Sequence, residues 1–132
     1  MNVIVDTSVW SLSLRKEGYD KHPTVIKLIE LIEQNADIYM VGVIFQEILQ
    51  AFRKENVFNR IVKYLESFPL LNVDRRIYTN AARIHCRCAA EGLSATTIDC
   101  LIASATINSD SYLLTADKDF TYMTKVSDLK LL

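Results

Sequence analysis

The sequence contains little cysteine, proline and glycine, and it has no long apolar run. Its three cysteines are an odd number without the C-x-x-C spacing of zinc or redox sites, which argues against a disulfide framework and a zinc centre. No apolar stretch reaches the roughly 20 residues that cross a bilayer. The first residues also lack the basic and apolar regions of a signal peptide. We therefore expect a cytoplasmic protein that does not enter a membrane.

The length and hydrophobic content bound the architecture. A chain of 132 residues suits one domain, which we expect to span residues 1–132. Half of the residues are hydrophobic, which is enough for a proper core. We find no internal repeat, linker or low-complexity segment.

The first strand organises the predicted fold. Three β-branched residues, Val3 to Val5, lead directly into Asp6, a pattern typical of a strand buried on both faces. Strands are predicted over residues 2–6, 38–41, 70–73 and 112–115, with a last edge strand over 128–132. Because strands alternate with helices, the predicted class is α/β with a mostly parallel sheet.

Helix signals separate these strands. Six helices are predicted: a short one capped by Ser8 and running through Trp10, Leu12 and Leu14, one that Pro23 opens, residues 42–52, residues 58–68, one from the Asp74 cap to Gly92, and one from Thr96 or Thr97 to Ile107. Residues 15–23 are predicted to be a polar loop. In the second helix, the predicted apolar face is Val25, Leu28, Ile29 and Ile32.

Several carboxylates lie where such a fold places ligands. Asp6 ends the first strand, and the crevice of an open α/β sheet lies beyond the carboxyl ends of its strands. Asp117 and Asp119 directly follow a later strand. Asp99 is the one charged residue of an apolar helix, where an unpaired carboxylate costs several kcal/mol. Each acid also has an ordinary structural role open to it, as a turn or capping residue.

Glu47 is the weakest candidate when it is considered alone. It lies opposite the apolar stripe of its helix (Phe45, Ile48, Leu49 and Phe52), where a glutamate is usually only solvated. Together with the other acids it could reach the same crevice. Acids held close together repel one another, and a hard divalent cation with oxygen ligands relieves that repulsion. His22 and His85 are assigned no role.

The charge balance is compatible with a polyanionic substrate. The chain has 15 basic and 16 acidic residues, a net charge of −1. Setting five acids aside for one site leaves 11 against 15 basic residues, an excess of four positive charges. A basic surface around an acidic, metal-charged centre would suit a nucleic acid. The candidate phosphate contacts are Arg15, Lys16, Arg53, Lys54 and Lys118.

Four short motifs, in this order, resemble those of the PIN-domain ribonucleases, and within them the VapC-type toxins of bacterial and archaeal toxin–antitoxin pairs. They are Val5-Asp6-Thr7-Ser8-Val9-Trp10, Gln46-Glu47-Ile48, Asp99-Cys100-Leu101-Ile102-Ala103 and Thr115-Ala116-Asp117-Lys118-Asp119-Phe120. The resemblance covers the whole chain. It implies a three-layer α/β/α sandwich around a mostly parallel sheet. Cys100 and Leu101 depart mildly from the alanine-like residues common in the family.

The resemblance also implies an activity and a set of residue roles. Asp6, Glu47, Asp99 and Asp117 would be the catalytic acids that bind Mg²⁺, or Mn²⁺ in its place, with Asp119 as an accessory acid. Ser8 and Thr115 would orient the ligands. The substrate would be RNA, and the partners would be a second copy of the chain and a cognate antitoxin. Which of Asp117 and Asp119 is the main fourth acid stays open.

Two other functions remain possible at this point. A phosphatase or phosphoacceptor domain also places an aspartate after its first strand, although a haloacid-dehalogenase-type enzyme would need an acid where Ser8 stands. A catalytically silent PIN domain that only binds RNA is the second. Trp10, Leu12 and Leu14 are expected to pack in the core, or else to line a groove for an antitoxin helix.

Overall fold

Strand β1 (Asn2–Val5) lies at the centre of a parallel sheet, between β2 (Asp37–Tyr39) and β3 (Tyr112–Leu114). The computed structural model describes residues 1–15 and 21–132, and these three strands are the ones found in that part of the chain. In the register of the sheet, Val3 pairs with Ile38 on one side and with Tyr112 on the other. Residues 3–5 are fully buried, as predicted for a strand covered on both faces.

The helices lie in two groups. Their bounds are α1 (Thr7–Ser13), α2 (Pro23–Glu33), α3 (Gly42–Leu49), α4 (Glu55–Leu65), α5 (Arg75–Ala90), α6 (Thr97–Asn108) and α7 (Asp119–Met123). Helix α1 packs on α2 and α3, and α3 packs on α4. Helix α6 packs on α5, α7 and β3. The α/β fold with a parallel sheet is confirmed, and the arrangement agrees with the expected three-layer α/β/α sandwich.

The capping signals predicted for α2, α5 and α6 are confirmed. The Asp74 carboxylate accepts the Ile77 amide at 3.1 Å, and the Thr96 hydroxyl accepts the Asp99 amide at 3.1 Å. Pro23 stands in the first turn of α2, and Gly92 follows α5 with φ of +71°. Each signal depends on local backbone geometry, so it could be recognised without the tertiary structure.

Two predicted strands, residues 70–73 and the edge strand over 128–132, are wrong. Residues 70–73 and 128–132 each form one isolated parallel bridge, Leu70 with Met40 and Leu131 with Leu113. Both flank the three-stranded sheet and continue its hydrogen bonding by a single residue. A strand forms only where a partner strand pairs along its length, and the local sequence does not show whether such a partner is present.

The apolar face predicted for α2 is also wrong in part. Val25, Leu28 and Leu31 are buried, whereas Ile29 and Ile32 are 43% and 37% exposed. The helix has more apolar positions than one face can bury, so tertiary packing selects among them.

Other boundaries differ, and one helix is new. Helix α3 ends at Leu49 and not at residue 52, α4 begins three residues before its prediction, and α7 was not predicted. Most of the predicted loop over residues 15–23, including the candidate contact Lys16, lies outside the described residues. Within the described residues, no helix combines the length and apolar character needed to cross a bilayer.

Candidate metal centre

Asp6 stands at the carboxyl end of β1 and is 5% exposed. Its amide donates to the Leu114 carbonyl at 2.9 Å, which carries the pairing with β3 one residue further. Its Oδ2 atom accepts hydrogen bonds from the hydroxyls of Ser8 at 2.7 Å and Thr115 at 2.9 Å. Two donors on one carboxylate oxygen fix its orientation and offset part of the cost of burying it.

Ser8 does not cap α1 as predicted. The backbone of Asp6 occupies the cap position, and Ser8 is the second residue of the helix. Its hydroxyl donates to Asp6 and accepts the Ala116 amide at 3.1 Å. The loop after β3 is close enough to make this contact because β1 and β3 are neighbours in the sheet. The hydroxyl therefore joins two strand ends.

The loop after β3 is held by a chain of side-chain to backbone hydrogen bonds. The Thr115 hydroxyl accepts the Asp117 amide at 3.0 Å, and the Asp117 carboxylate accepts the Asp119 amide at 2.9 Å. These contacts place both aspartates at the carboxyl edge of the sheet, beside Asp6. Lys118, between them, is exposed.

Asp99 lies in the first turn of α6 and joins the loop acids. One carboxylate oxygen from each of Asp99, Asp117 and Asp119 lies within 4.8 Å of the others. The pKa of Asp99 is raised from 3.8 to about 6, chiefly by burial and in addition by the negative charges of Asp117, Asp6 and Asp119, against the lowering effect of the Thr96 hydrogen bond. The structure thus brings three of the five predicted acids within 4.8 Å of one another, and Asp6 is near enough for its negative charge to act on Asp99.

Glu47 approaches from α3 and lies outside the group of three carboxylates. It is half-buried, and its Oε1 atom accepts a hydrogen bond from the Thr7 hydroxyl at 3.2 Å. Thr7 was not singled out in the sequence. Its position directly after Asp6 was the available signal, because the backbone of a residue next to a site acid lies close to that site.

The donor set suits a hard divalent cation. Ligand oxygens at about 2.1 Å from one Mg²⁺ are at most about 4.2 Å apart. The three carboxylates are therefore within a small side-chain adjustment of sharing one ion. Carboxylate oxygens are the ligands that Mg²⁺ and Mn²⁺ favour, and no histidine or cysteine belongs to the group.

The fold and these carboxylates at the strand ends define an α/β domain with a group of acids that could hold a metal ion, and comparison with known proteins identifies the family. The family model described as PIN domain matches residues 3–126, and the chain belongs to that family. The VapC ribonuclease Mb1587 of Mycobacterium bovis and the ribonuclease VapC11 of Mycobacterium tuberculosis are each 29% identical over 130 residues, covering 97% of the chain and 96% of the relative.

The likeness in fold to a solved structure extends along the whole chain. A crystal structure of VapBC2 from Rickettsia felis, bound to a DNA fragment from their promoter, matches with a TM-score of 0.78 at 18% identity. The match covers 100% of the chain and 98% of that protein. The expected family and sandwich fold are therefore confirmed.

Proposed function

We propose that this chain is a metal-dependent endoribonuclease that acts as the toxin of a toxin–antitoxin pair. The observation that carries the proposal is the close approach of the Asp99, Asp117 and Asp119 carboxylates beside Asp6. Family membership and relatives named as VapC ribonucleases support it.

The acids would have different roles in binding the metal ion and orienting water. Asp6, Asp99, Asp117 and Asp119 would hold Mg²⁺ or Mn²⁺, and Ser8 and Thr115 keep the Asp6 carboxylate oriented. A bound divalent cation supplies positive charge next to the scissile phosphate. Glu47, whose carboxylate accepts a hydrogen bond from the Thr7 hydroxyl, would contribute a further metal ligand and orient the attacking water.

This arrangement predicts the chemistry of the cut ends. Water attacks the phosphorus in line, a new P–O bond forms, and the bond to the 3′ oxygen breaks as that oxygen takes a proton. The products are then a 5′-phosphate and a 3′-hydroxyl. A 2′,3′-cyclic phosphate product would contradict this mechanism, because it requires attack by the ribose hydroxyl.

The direct test is RNA cleavage by purified protein with Mg²⁺, with Mn²⁺ and with EDTA. We expect metal-dependent cutting that Asp6→Asn abolishes. Asp37→Asn is the matched control, because Asp37 is exposed at the start of β2, the opposite end of the strands from Asp6. Cutting that survives both EDTA and Asp6→Asn would refute the proposal. Metal binding without any cutting would favour the RNA-binding alternative.

A cavity next to the site supports the antitoxin as partner. It measures about 540 Å³ and lies among α1, α3 and α4, with basic residues Arg15, Arg53, Lys54 and Arg60 beside an apolar lining that includes Leu14 and Phe52. Ser11 and Ala51 also line it, three residues after Ser8 and four residues after Glu47 in the chain. We propose that an acidic, amphipathic antitoxin segment lies here and covers the site. Trp10 is buried in the core, whereas Leu14 is half-buried and lines this cavity.

Charge reversal tests the partner. We expect Arg60→Glu to weaken binding of the cognate antitoxin while RNA cleavage by the free protein continues. Glu66→Lys is the control: it reverses a charge at the residue that follows α4, outside the cavity lining. Unchanged antitoxin binding by Arg60→Glu would place the contact elsewhere.

We also propose a homodimer, which the family resemblance implies. Helices α5 and α6 carry an outward cavity of about 340 Å³ with a mainly apolar lining, and Tyr78 beside it is 55% exposed. Sedimentation of wild type and Tyr78→Glu tests this, since a charge in an apolar interface should dissociate the dimer.

A further inference from the structure

Thr7 makes a contact that links the two sides of the acidic centre. Its hydroxyl donates to Glu47 Oε1 at 3.2 Å, between residues 40 positions apart in the chain. The contact joins the start of α1 to α3. Both backbones are anchored, since Val9, Trp10 and Ile48 are buried in the core.

A glutamate at such a position needs an external contact to be held in place. Three rotatable bonds separate its carboxylate from the backbone, so a rigid helix alone does not fix the oxygen positions. The Thr7 hydroxyl donates a hydrogen bond to Oε1 of Glu47. Among residues 1–15 and 21–132, no hydrogen bond to Oε2 is found, so that oxygen is left for a ligand or water.

The other acids are held in different ways. Asp6 receives two hydroxyl donors, and the Asp117 carboxylate accepts the Asp119 amide. Glu47 has one donor in the described part of the chain, and that donor is adjacent in sequence to Asp6. The position of Glu47 relative to the end of β1 therefore depends on Thr7.

We propose that Thr7 is a positioning residue, which orients the Glu47 carboxylate toward the metal centre. The inference rests on the proposed metal-dependent function. Groups that hydrogen-bond to metal ligands commonly control metal affinity without touching the ion. Thr7 is a group of this kind, because its hydroxyl donates to the Glu47 carboxylate.

The test compares Thr7→Val, Thr7→Ser and the control Thr79→Val. Valine keeps the shape of threonine and removes the donor, whereas serine keeps the donor. Thr79 is an exposed helical threonine whose hydroxyl, among the described residues, bonds only to the Arg75 carbonyl of its own helix. Calorimetric titration with Mn²⁺ gives the dissociation constant, and RNA cleavage gives kcat and KM separately. Circular dichroism checks that each variant is folded.

We expect Thr7→Val to raise the Mn²⁺ dissociation constant by about tenfold, the lower end of the usual effect of losing a partner of a metal ligand. It should lower kcat and leave KM for RNA unchanged. Thr7→Ser should restore both values, and Thr79→Val should match wild type. In a Glu47→Ala background, Thr7→Val should have no further effect on Mn²⁺ affinity.

Two results would overturn the inference. The first is Mn²⁺ affinity in Thr7→Val equal to that of Thr79→Val. The second is an equal loss with and without Glu47, which would show that Thr7 does not act through it. If Thr7→Val fails to fold, Thr7→Ala is compared with Thr7→Ser in the same way. Wild type that binds Mn²⁺ but cuts no RNA would refute the proposed activity, while the affinity comparison still decides the role of Thr7.

Discussion

Replacing Asp99 by asparagine should stabilise the metal-free protein at neutral pH. Burial is the largest cause of the raised pKa of Asp99, and the negative charges of Asp117, Asp6 and Asp119 add to it. The ionised form is therefore unfavourable in the folded state when no cation is present. Asparagine has nearly the same shape and carries no charge, so it removes this penalty.

The sign and size follow from the two pKa values. The folded protein keeps the Asp99 proton up to about pH 6, whereas the unfolded chain loses it near 3.8. The free energy of unfolding therefore falls as pH rises through this window. A shift of about two units corresponds to about 3 kcal/mol. Because Asp99 is only half-buried, solvent screening reduces this to about 1 to 1.5 kcal/mol.

Urea unfolding in EDTA measures the effect. The stability of Asp99→Asn relative to wild type should increase by about 1 to 1.5 kcal/mol between about pH 4 and about pH 7.5. Adding Mn²⁺ at the higher pH should stabilise wild type more than the variant, because a ligand that binds the folded state shifts unfolding. Asp37→Asn is the control, since it makes the same change away from the acidic centre.

A pH dependence of stability that is the same in wild type and Asp99→Asn would refute this reasoning. It would mean that Asp99 is no less favourable as an anion in the folded state than in the unfolded chain. The acidic centre would then not hold an excess of uncompensated charge, and the electrostatic reason for a divalent cation would be lost.

Three other substitutions test the site and the core. Thr115→Val removes a donor to Asp6 and should lower RNA cleavage by about tenfold with little change in melting temperature; full activity would exclude an orienting role. Ser104→Ala should cost about 1 to 3 kcal/mol in urea unfolding, because its fully buried hydroxyl donates to the Ile77 carbonyl at 2.7 Å, and the activity of the folded fraction should not change. Trp10→Ala should lower the free energy of unfolding by about 3 to 5 kcal/mol. Trp10→Phe should lower it by less, because the buried indole Nε1 has no hydrogen-bond partner in the described residues and phenylalanine therefore loses no hydrogen bond; equal losses would contradict this.

Much of the site could be found from local patterns. Asp6 was identified because a buried β-branched run ends there, and Asp99 because it is charged within an apolar helix. Thr96 was one of the two positions predicted to open α6. Its hydroxyl accepts a hydrogen bond from a backbone amide of the same segment. These features depend on residues a few positions apart. They could be recognised without knowing how the chain packs.

Other features depend on distant partners. Ser8 looked like a helix cap, but its hydroxyl bonds to Asp6 and meets the loop that β3 carries. Helix α7 is five residues long and has little local support, yet its Phe120 and Met123 are buried. Glu47 alone looked like a solvated helix residue until Thr7 was found beside it. Apart from the bond between Ser8 and Asp6, these contacts join segments that are distant in the chain.

The sequence by itself determined most of the elements and the candidate acids, because helix caps, the buried first strand and an isolated charge are local features of a chain. The tertiary structure decided which of these side chains meet. The order β2–β1–β3 brings the ends of β1 and β3 together, and so joins Asp6 to Thr115 and the loop acids. The packing of α3 on α1 brings Glu47 to Thr7. A metal centre needs several ligands within a few ångströms, and only the assembled sheet and helices set those distances.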